Sequence, residues 1–354
     1  MATFSKRPAG GFQAQVCINR KRISKTFDRL SDAKRWAALM EKDAEAGILP
    51  GSRAPLSHFL KLHQDFVGEK HKHPRHERAV LGYIAEDPIA EIPVCEISKT
   101  DVEEWMDRRR TIPSRQTGRI VKESTILRQL SILSSLFSKL VREGVIPKNP
   151  AHGVELPKDS APRERVATDE EIERLKFVAG WEEGQVPQTK MQRVCSAFVL
   201  ACLTGMRSGE MMRIERSWIR GRTLRIPAEA TKTDTARVIA LNDRALRILE
   251  DVCSLGFEPS IWDLSDGSRD ALWRKIRDKA GLRDEYDSRG RLIRQGLTFH
   301  DGRATFCTWA ASPGPDGAPR LDVLSLARQT GHKNLKMLMR YYRPSIESFA
   351  DRLN

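Results

Sequence analysis

What this 354-residue sequence lacks narrows its roles before any motif is weighed. It has no long hydrophobic run. The most apolar segment, Val194 to Leu203, falls far short of the roughly 20 residues that span a bilayer, and Met1 to Arg20 holds no apolar stretch of the secretory-leader kind. The six cysteines (Cys17, Cys95, Cys195, Cys202, Cys253, Cys307) are scattered and form no C-x-x-C pair. That argues against a disulfide frame or a zinc site and for reduced thiols in a cytoplasmic compartment. There is no internal repeat, no low-complexity tract, and no carboxylate cluster of the two-metal kind. Acid is also in deficit: 47 Asp and Glu face 61 Lys and Arg, a net charge of +14. Such a surplus draws polyanions, and nucleic acid is the commonest of them for a chain without a membrane signal. The plainer alternative is a basic but ordinary enzyme.

With 40% apolar and 31% charged residues the chain reads as globular, and its length allows two or three domains. Residues 1–50 read as a small unit. Phe12 to Ile18 alternates, Asn19-Arg20-Lys21 turns, and Arg22 to Phe27 runs extended again, so a hairpin is expected, followed by a helix with Ser31 as N-cap. Through residue 40 this unit carries nine Lys/Arg against two Asp/Glu, and Arg20, Lys21, Arg22 and Lys25 are its candidate DNA contacts. The alternative is a solvated basic face.

Residues 55–150 read as helical throughout. Leu56, Phe59, Leu60, His63 and Phe66-Val67 share one face, Ser98 to Asp101 starts a second helix, and Ser124-Thr125 opens the longest, which stops at Gly144. His71-Lys72-His73-Pro74-Arg75-His76 has metal-like composition, but with no cysteine near and Pro74 spoiling the spacing it reads as a phosphate-contacting loop or solvated surface. Residues 151–166 read as a linker, and 167–354 as a second, mixed domain. Within it a short strand-rich insert flanks the polar turn Lys232-Thr233-Asp234, and Asp284 to Arg294 reads as a polar loop.

Chemistry concentrates late in the chain. Transferring a phosphodiester needs neutralisation of the non-bridging oxygens, an in-line nucleophile and a proton for the leaving oxygen. Arginine suits the first task because its planar fork donates two hydrogen bonds to one phosphate and stays charged. Leu203-Thr204-Gly205-Met206-Arg207-Ser208-Gly209-Glu210, then His300-Asp301-Gly302-Arg303, then Leu326 to His332, then Tyr341 nine residues on, stand in this order. Taken singly, Arg207 could be a helix-end ion pair, His332 a satisfied buried histidine, and Tyr341 a half-buried core tyrosine.

Together these segments resemble the boxes of the tyrosine recombinases, the phage-type integrases, firmly over residues 165–354. The resemblance implies that Arg207 and Arg303 clamp the scissile phosphate, that His300 and His332 hydrogen-bond it and assist proton transfer, and that Glu210 supports them. Lys232 would be the general acid, with a solvated hairpin tip as its alternative. Tyr341 would attack to leave a 3′-phosphotyrosyl bond, with adjacent Tyr342 as rival nucleophile. Rejoining would then need neither ATP nor metal, so no cofactor is expected. The box departs from the family's usual His-x-Leu-Arg-His at Gly302 and Ala304, which would lose a packing and a polar side chain.

The implied fold is mainly α with small β elements (α+β): an arm-type three-stranded sheet plus helix, a helical core-binding domain, and a mixed catalytic domain. The implied function is integration or excision of a phage or mobile element in a bacterial cytoplasm. The implied partners are double-stranded DNA at attachment sites, a homotetramer on that DNA, and a host DNA-bending protein or excisionase. The 13 residues after Tyr341 would form a short tail packing on a neighbouring protomer. Rival readings are a chromosome-dimer resolving recombinase, which normally lacks the basic N-terminal unit, a type IB topoisomerase, and a binding protein that has lost catalysis.

Overall fold

The structure is a computed structural model that describes residues 2–8, 10–18, 21–45, 53–70, 74–113, 118, 120–158, 163–231, 235–289, 291–315 and 317–342. The chain divides into two compact units, Met1–Pro162 and Arg163–Asn354. No helix among the described residues is long and apolar enough to cross a membrane.

The first unit opens with β1 (Thr3–Lys6), β2 (Phe12–Ile18) and β3 (Lys21–Phe27), an antiparallel sheet in that order. Helix α1 (Leu30–Glu45) packs on β2 and β3. The pairs Val16↔Ile23 and Phe12↔Phe27 fix which residues share a face. Buried Ala14 and Val16, with Ala37 of α1, mark the helix side. Alternation then puts Gln13, Gln15, Arg22, Ser24 and Thr26 on the open side, which is polar but nearly uncharged. The ladder of α1 begins with the Ala33 amide donating to the Arg29 carbonyl at 3.2 Å. Ser31 therefore lies inside the first turn and is not its cap.

Four helices follow: α2 (Leu56–Lys70), α3 (Pro74–Ala85), α4 (Lys99–Thr111) and α5 (Glu123–Arg142). Their apolar faces close one core that includes Leu56, Leu60, Leu81, Trp105, Met106, Leu133 and Phe137. The expected capping box at the start of α4 forms, with Ser98 and Asp101 bonding reciprocally. α5 instead starts at Glu123 behind Lys122, which makes no side-chain cap, so Ser124 sits within the helix. Pro74 takes the first position of α3, where its missing N–H costs nothing. His71, Lys72 and His73 lie outside the described residues. Ala151 and Val154, within the expected linker, belong to this helical core.

The second unit is built around α7 (Lys190–Thr204), which follows α6 (Asp169–Ala179). Val194, Cys195, Ala197, Phe198, Val199, Leu200 and Ala201 are all buried, and a helix apolar on every side must be central. A single turn, α8 (Ser208–Met211), leads to the antiparallel sheet of β4 (Ile219–Arg220), β5 (Thr223–Ile226) and β6 (Arg237–Ala240). Then come α9 (Asp243–Cys253), α10 (Asp266–Lys279), the hairpin β7 (Glu285–Tyr286) and β8 (Leu292–Arg294), α11 (Asp301–Ala311) and α12 (Val323–Thr330). The polar stretch expected to be plain loop thus contains a hairpin. Asp287 nucleates its turn by accepting from the amides of Arg289 and Arg291 at 2.9 and 2.8 Å.

Helices α6, α9, α10 and α11 pack around α7. The approach of α11 is set by Gly302: a Cβ there would lie 3.0 Å from Ala201 Cβ and 3.1 Å from Phe198 Cε2. The missing side chain is therefore not a lost packing group, because Phe198 of α7 already fills its place. Installing the family's usual residue, Gly302→Leu, is expected to destabilise this chain by about 1–3 kcal/mol through overpacking. Urea unfolding of the variant beside wild type checks this, and equal or greater stability would contradict the packing account.

Candidate active site

Helix α7 ends at Gly205, which adopts the left-handed conformation at φ 68°. Only glycine fits there, since a Cβ would fall 2.5 Å from Phe306 Cδ1. The chain then turns so that Arg207 sits at the N-cap of α8. Arg207 Nη1 donates to Glu210 Oε1 at 3.2 Å, and its Nη2 donates to the Gly331 carbonyl at 2.7 Å. Gly331 is the left-handed cap of α12 at φ 72°. Two glycine-capped helix ends thus face each other across Arg207.

Arg303, one turn into α11, fills the gap between them. Its Nη1 donates to the Gly205 carbonyl at 2.6 Å and the Thr330 carbonyl at 2.7 Å. Burial first, and then Arg207, lower its pKa to about 10, so it stays charged at neutral pH. Its Nη2 lies 3.1 Å from Nε2 of His332. The Thr330 hydroxyl donates to the Leu326 carbonyl at 2.6 Å and lies 2.7 Å from His332 Nδ1. That network assigns the ring proton to Nδ1 and leaves Nε2 as an acceptor.

His300 caps α11 and is exposed. The bulk of protein around it, followed by Arg303, lowers its pKa. Burial, followed by Arg303, Arg207, His300 and Arg237, lowers His332 to about 3. Both rings are therefore neutral near pH 7. Next to His300, Asp301 is 2% exposed and is held by Arg163, whose Nε and Nη2 donate to its two oxygens at 2.8 and 2.7 Å. Arg163 lies in the expected linker and gives that segment a fixed anchor on the second unit.

Tyr341 and Tyr342 both follow the turn at Leu338, whose carbonyl accepts from their amides at 2.9 and 3.2 Å. Both pack against the apolar cluster of Phe306, Cys307, Ala310 and Leu326. Burial, first of all, raises the Tyr341 phenol above its ordinary value, while Arg303 is near enough to pull it down. Burial also pushes the Cys307 thiol up to about 11, which makes it a packing group.

The structure thus brings together Arg207, Glu210, Arg303 and His332, with His300 and Tyr341 on the elements that carry them. Lys232 lies outside the described residues, as does Arg20, and Lys21 is described in its backbone alone. Of the remaining N-terminal candidates, Arg22 is on the open side of the first sheet, whereas Lys25 pairs with Ala14 on the α1 side and lies 5.6 Å over the Phe27 ring.

Sequence reasoning missed Arg237. Its Nη1 and Nη2 donate to Glu210 Oε1 and Oε2 at 2.8 and 2.6 Å. The signal was there: Arg237 shares a strand face with buried Ile239, and a cation on a buried face needs a partner. Also missed was Gln329, whose side chain bonds both the amide and carbonyl of Ala240 at 3.0 Å, tying α12 to the edge of β6.

A family model described as "Phage integrase family" matches residues 168–347. A Haemophilus influenzae protein named "Putative integrase/recombinase" is 30% identical over 358 residues, 98% of this chain and 88% of that protein. Among solved structures, the Tn1549 transposon integrase in complex with a circular intermediate DNA superposes with a TM-score of 0.63 at 18% identity, over 85% of this chain and 99% of that one. The lambda integrase tetramer bound to a Holliday junction does so with a TM-score of 0.59 at 17% identity, over 94% and 95%.

The neutral histidines have a consequence for stability. Below the ordinary histidine value of 6.5 the unfolded chain binds a proton that folded His332 refuses until about pH 3, so stability falls as pH drops through that window. His300, also lowered, acts with the same sign. The depressed carboxylates Glu171 and Glu210 add their loss only below about 4.5. Melting temperatures between pH 6.5 and 4.5 should therefore fall for wild type and less steeply for His332→Gln. Parallel curves would contradict the neutral assignment.

Proposed function

Given that the chain belongs to the phage integrase family and is a site-specific tyrosine recombinase, we propose that it cuts and rejoins DNA through a 3′-phosphotyrosyl intermediate formed on Tyr341. In this reading the Tyr341 oxygen attacks the scissile phosphorus, the bond to the 5′-oxygen breaks, and the phenol proton leaves to a nearby base or water. Lys232 returns a proton to the 5′-oxygen. Arg207 and Arg303 donate to the non-bridging oxygens, where charge grows as the phosphorus becomes pentacoordinate. His332 Nε2 is an acceptor in the free protein. A phosphate beside it would offset the surrounding arginines and raise its proton affinity, making it a donor when the anion arrives. His300 contributes from the rim.

The observation that carries this reading is the pair of arginines, Arg207 and Arg303, held by backbone carbonyls and not by carboxylates alone. Such a cluster keeps net positive charge, which together with the larger effect of burial holds a histidine neutral down to about pH 3. A group of cations with so little counter-charge is built for an anion.

By likeness to the lambda integrase tetramer on its junction, the working form is a tetramer around two DNA sites. The polar open side of the N-terminal sheet, with Arg22 on it, would read a second kind of DNA site, and residues 55–150 would grip the core site. An N-terminal unit of this kind suits an integrase of a phage or mobile element whose direction is set by a DNA-bending protein or an excisionase. Scattered cysteines with no C-x-x-C pair suit a reaction in a bacterial cytoplasm.

The test is a nicked suicide duplex incubated without added metal and read as a protein–DNA adduct on a denaturing gel. Wild type and Tyr342→Phe are expected to form the adduct, and Tyr341→Phe to lose it entirely. Loss with Tyr342→Phe alone would move the nucleophile by one residue. No adduct from any version, on DNA that the protein binds, would overturn the reading.

A further inference from the structure

Arg237 is a cation of the site for which the reaction above has no use. Its side chain is 10% exposed and that of Glu210 3%, so their two-pronged contact is shielded from water. The Arg237 guanidinium occupies both Glu210 oxygens, while that of Arg207 reaches Oε1 alone, at the longer distance of 3.2 Å, and the Arg207 backbone amide donates to Oε2 at 3.4 Å. The same guanidinium lies under the cap of α12, where a Cβ on Gly331 would meet its Nη1 at 2.9 Å. Gly331 in turn supplies the carbonyl for Arg207 and precedes His332. One strand residue thus touches the supports of two groups that come from distant segments.

We propose that Arg237 is a positioning residue: by taking both oxygens of Glu210 it keeps that carboxylate from closing a two-pronged pair with Arg207, so Arg207 stays free to grip the phosphate. This rests on the phosphotyrosyl reading above. An arginine has five N–H donors, and Arg207 commits one to Glu210 and one to Gly331. Without Arg237, Glu210 would be left buried with Arg207 as its cation, and the favoured geometry for such a pair is fork to fork. That geometry takes a further donor from the phosphate and pulls the guanidinium towards Glu210. The clamp would also lose the wedge under Gly331. Arg237 therefore acts through Glu210 and not on DNA.

The test compares wild type, R237Q, R237K, E210Q and the double variant R237Q/E210Q on the nicked duplex that wild type cleaves. Affinity for the duplex, melting temperature and the single-turnover rate of adduct formation are measured separately. R237Q is expected to slow adduct formation about 10²-fold, the scale of an ångström-sized misplacement, with affinity for the duplex unchanged. R237K, a cation that meets one oxygen at a time, should fall between R237Q and wild type. Adding R237Q to E210Q should cost no further rate, because the carboxylate that Arg237 restrains is gone.

A wild-type rate from R237Q overturns the proposal, as do equal losses of rate and affinity, or rate losses that multiply in the double variant. If R237Q loses its cooperative unfolding transition, R237K decides alone: a wild-type rate from it overturns the proposal and a slowed rate with intact affinity supports it. No adduct from wild type overturns the phosphotyrosyl reading and this proposal with it, an outcome distinct from a fast R237Q.

Discussion

The bond on which the second unit's chemistry depends is the one between the buried guanidinium of Arg303 and the carbonyls of Gly205 and Thr330. The last carbonyls of a helix have no partner within it, and they carry the negative end of its dipole. Helices α7 and α12 both end in this condition. Arg303, from α11, answers both at once. Burying a guanidinium costs several kcal/mol unless its hydrogen bonds are met, and here helix ends that needed donors meet them. The arrangement also fixes distance: segments that begin at residues 205 and 330 of the chain are brought against one side chain, and Arg207 and His332 ride on them. The glycine at each helix end is what lets the backbone turn away and leave its carbonyl pointing inward.

This way of holding arginines has an electrostatic result. A carboxylate partner would neutralise the charge it holds, whereas a carbonyl fixes the group and leaves the charge in place. Glu210 is shared by Arg207 and Arg237, and Asp301 is taken by Arg163, so Arg303 keeps its field for the pocket. That field adds to burial, the larger cause, in lowering the proton affinity of His332. Charge stabilisation arranged before substrate arrives needs no reorganisation during the reaction, which is where its catalytic value lies.

Much of this was legible in the sequence, for identifiable reasons. The helix start at Ser98 to Asp101 follows rules that operate within a few residues, and the structure has that cap. Arg207, Glu210, Arg303 and His332 were singled out through the resemblance of their segments to the boxes of the tyrosine recombinases. What spacing could not supply was who holds whom. Arg237 looked like one more polar residue of a strand, because its partner Glu210 is 27 positions away. Gly302 looked like a deficit, because its filler is Phe198 on another helix. Ser124 and Thr125, expected to open the longest helix, stand just inside α5, which starts at Glu123 behind Lys122 with no side-chain cap. The polar 284–294 stretch carried no apolar alternation to mark a hairpin, since Asp287 holds it together and not a buried face.

The clamp and the nucleophile are attached differently, and the difference suits the chemistry. Arg207 is fixed by an ion pair within its own turn, and both Arg207 and Arg303 by carbonyl bonds to distant segments. Tyr341 is seated by backbone bonds to the local turn at Leu338 and by half-buried contact with an apolar cluster. Apolar contact is non-directional and its loss on a small shift is gradual, whereas a short charged hydrogen bond is lost steeply with angle and distance. A phosphate clamp gains from the second kind of bond, because its donors must match the oxygens. A tyrosine that must approach, bond to phosphorus and later let it go gains from the first, because its seat can give without costing the clamp its geometry.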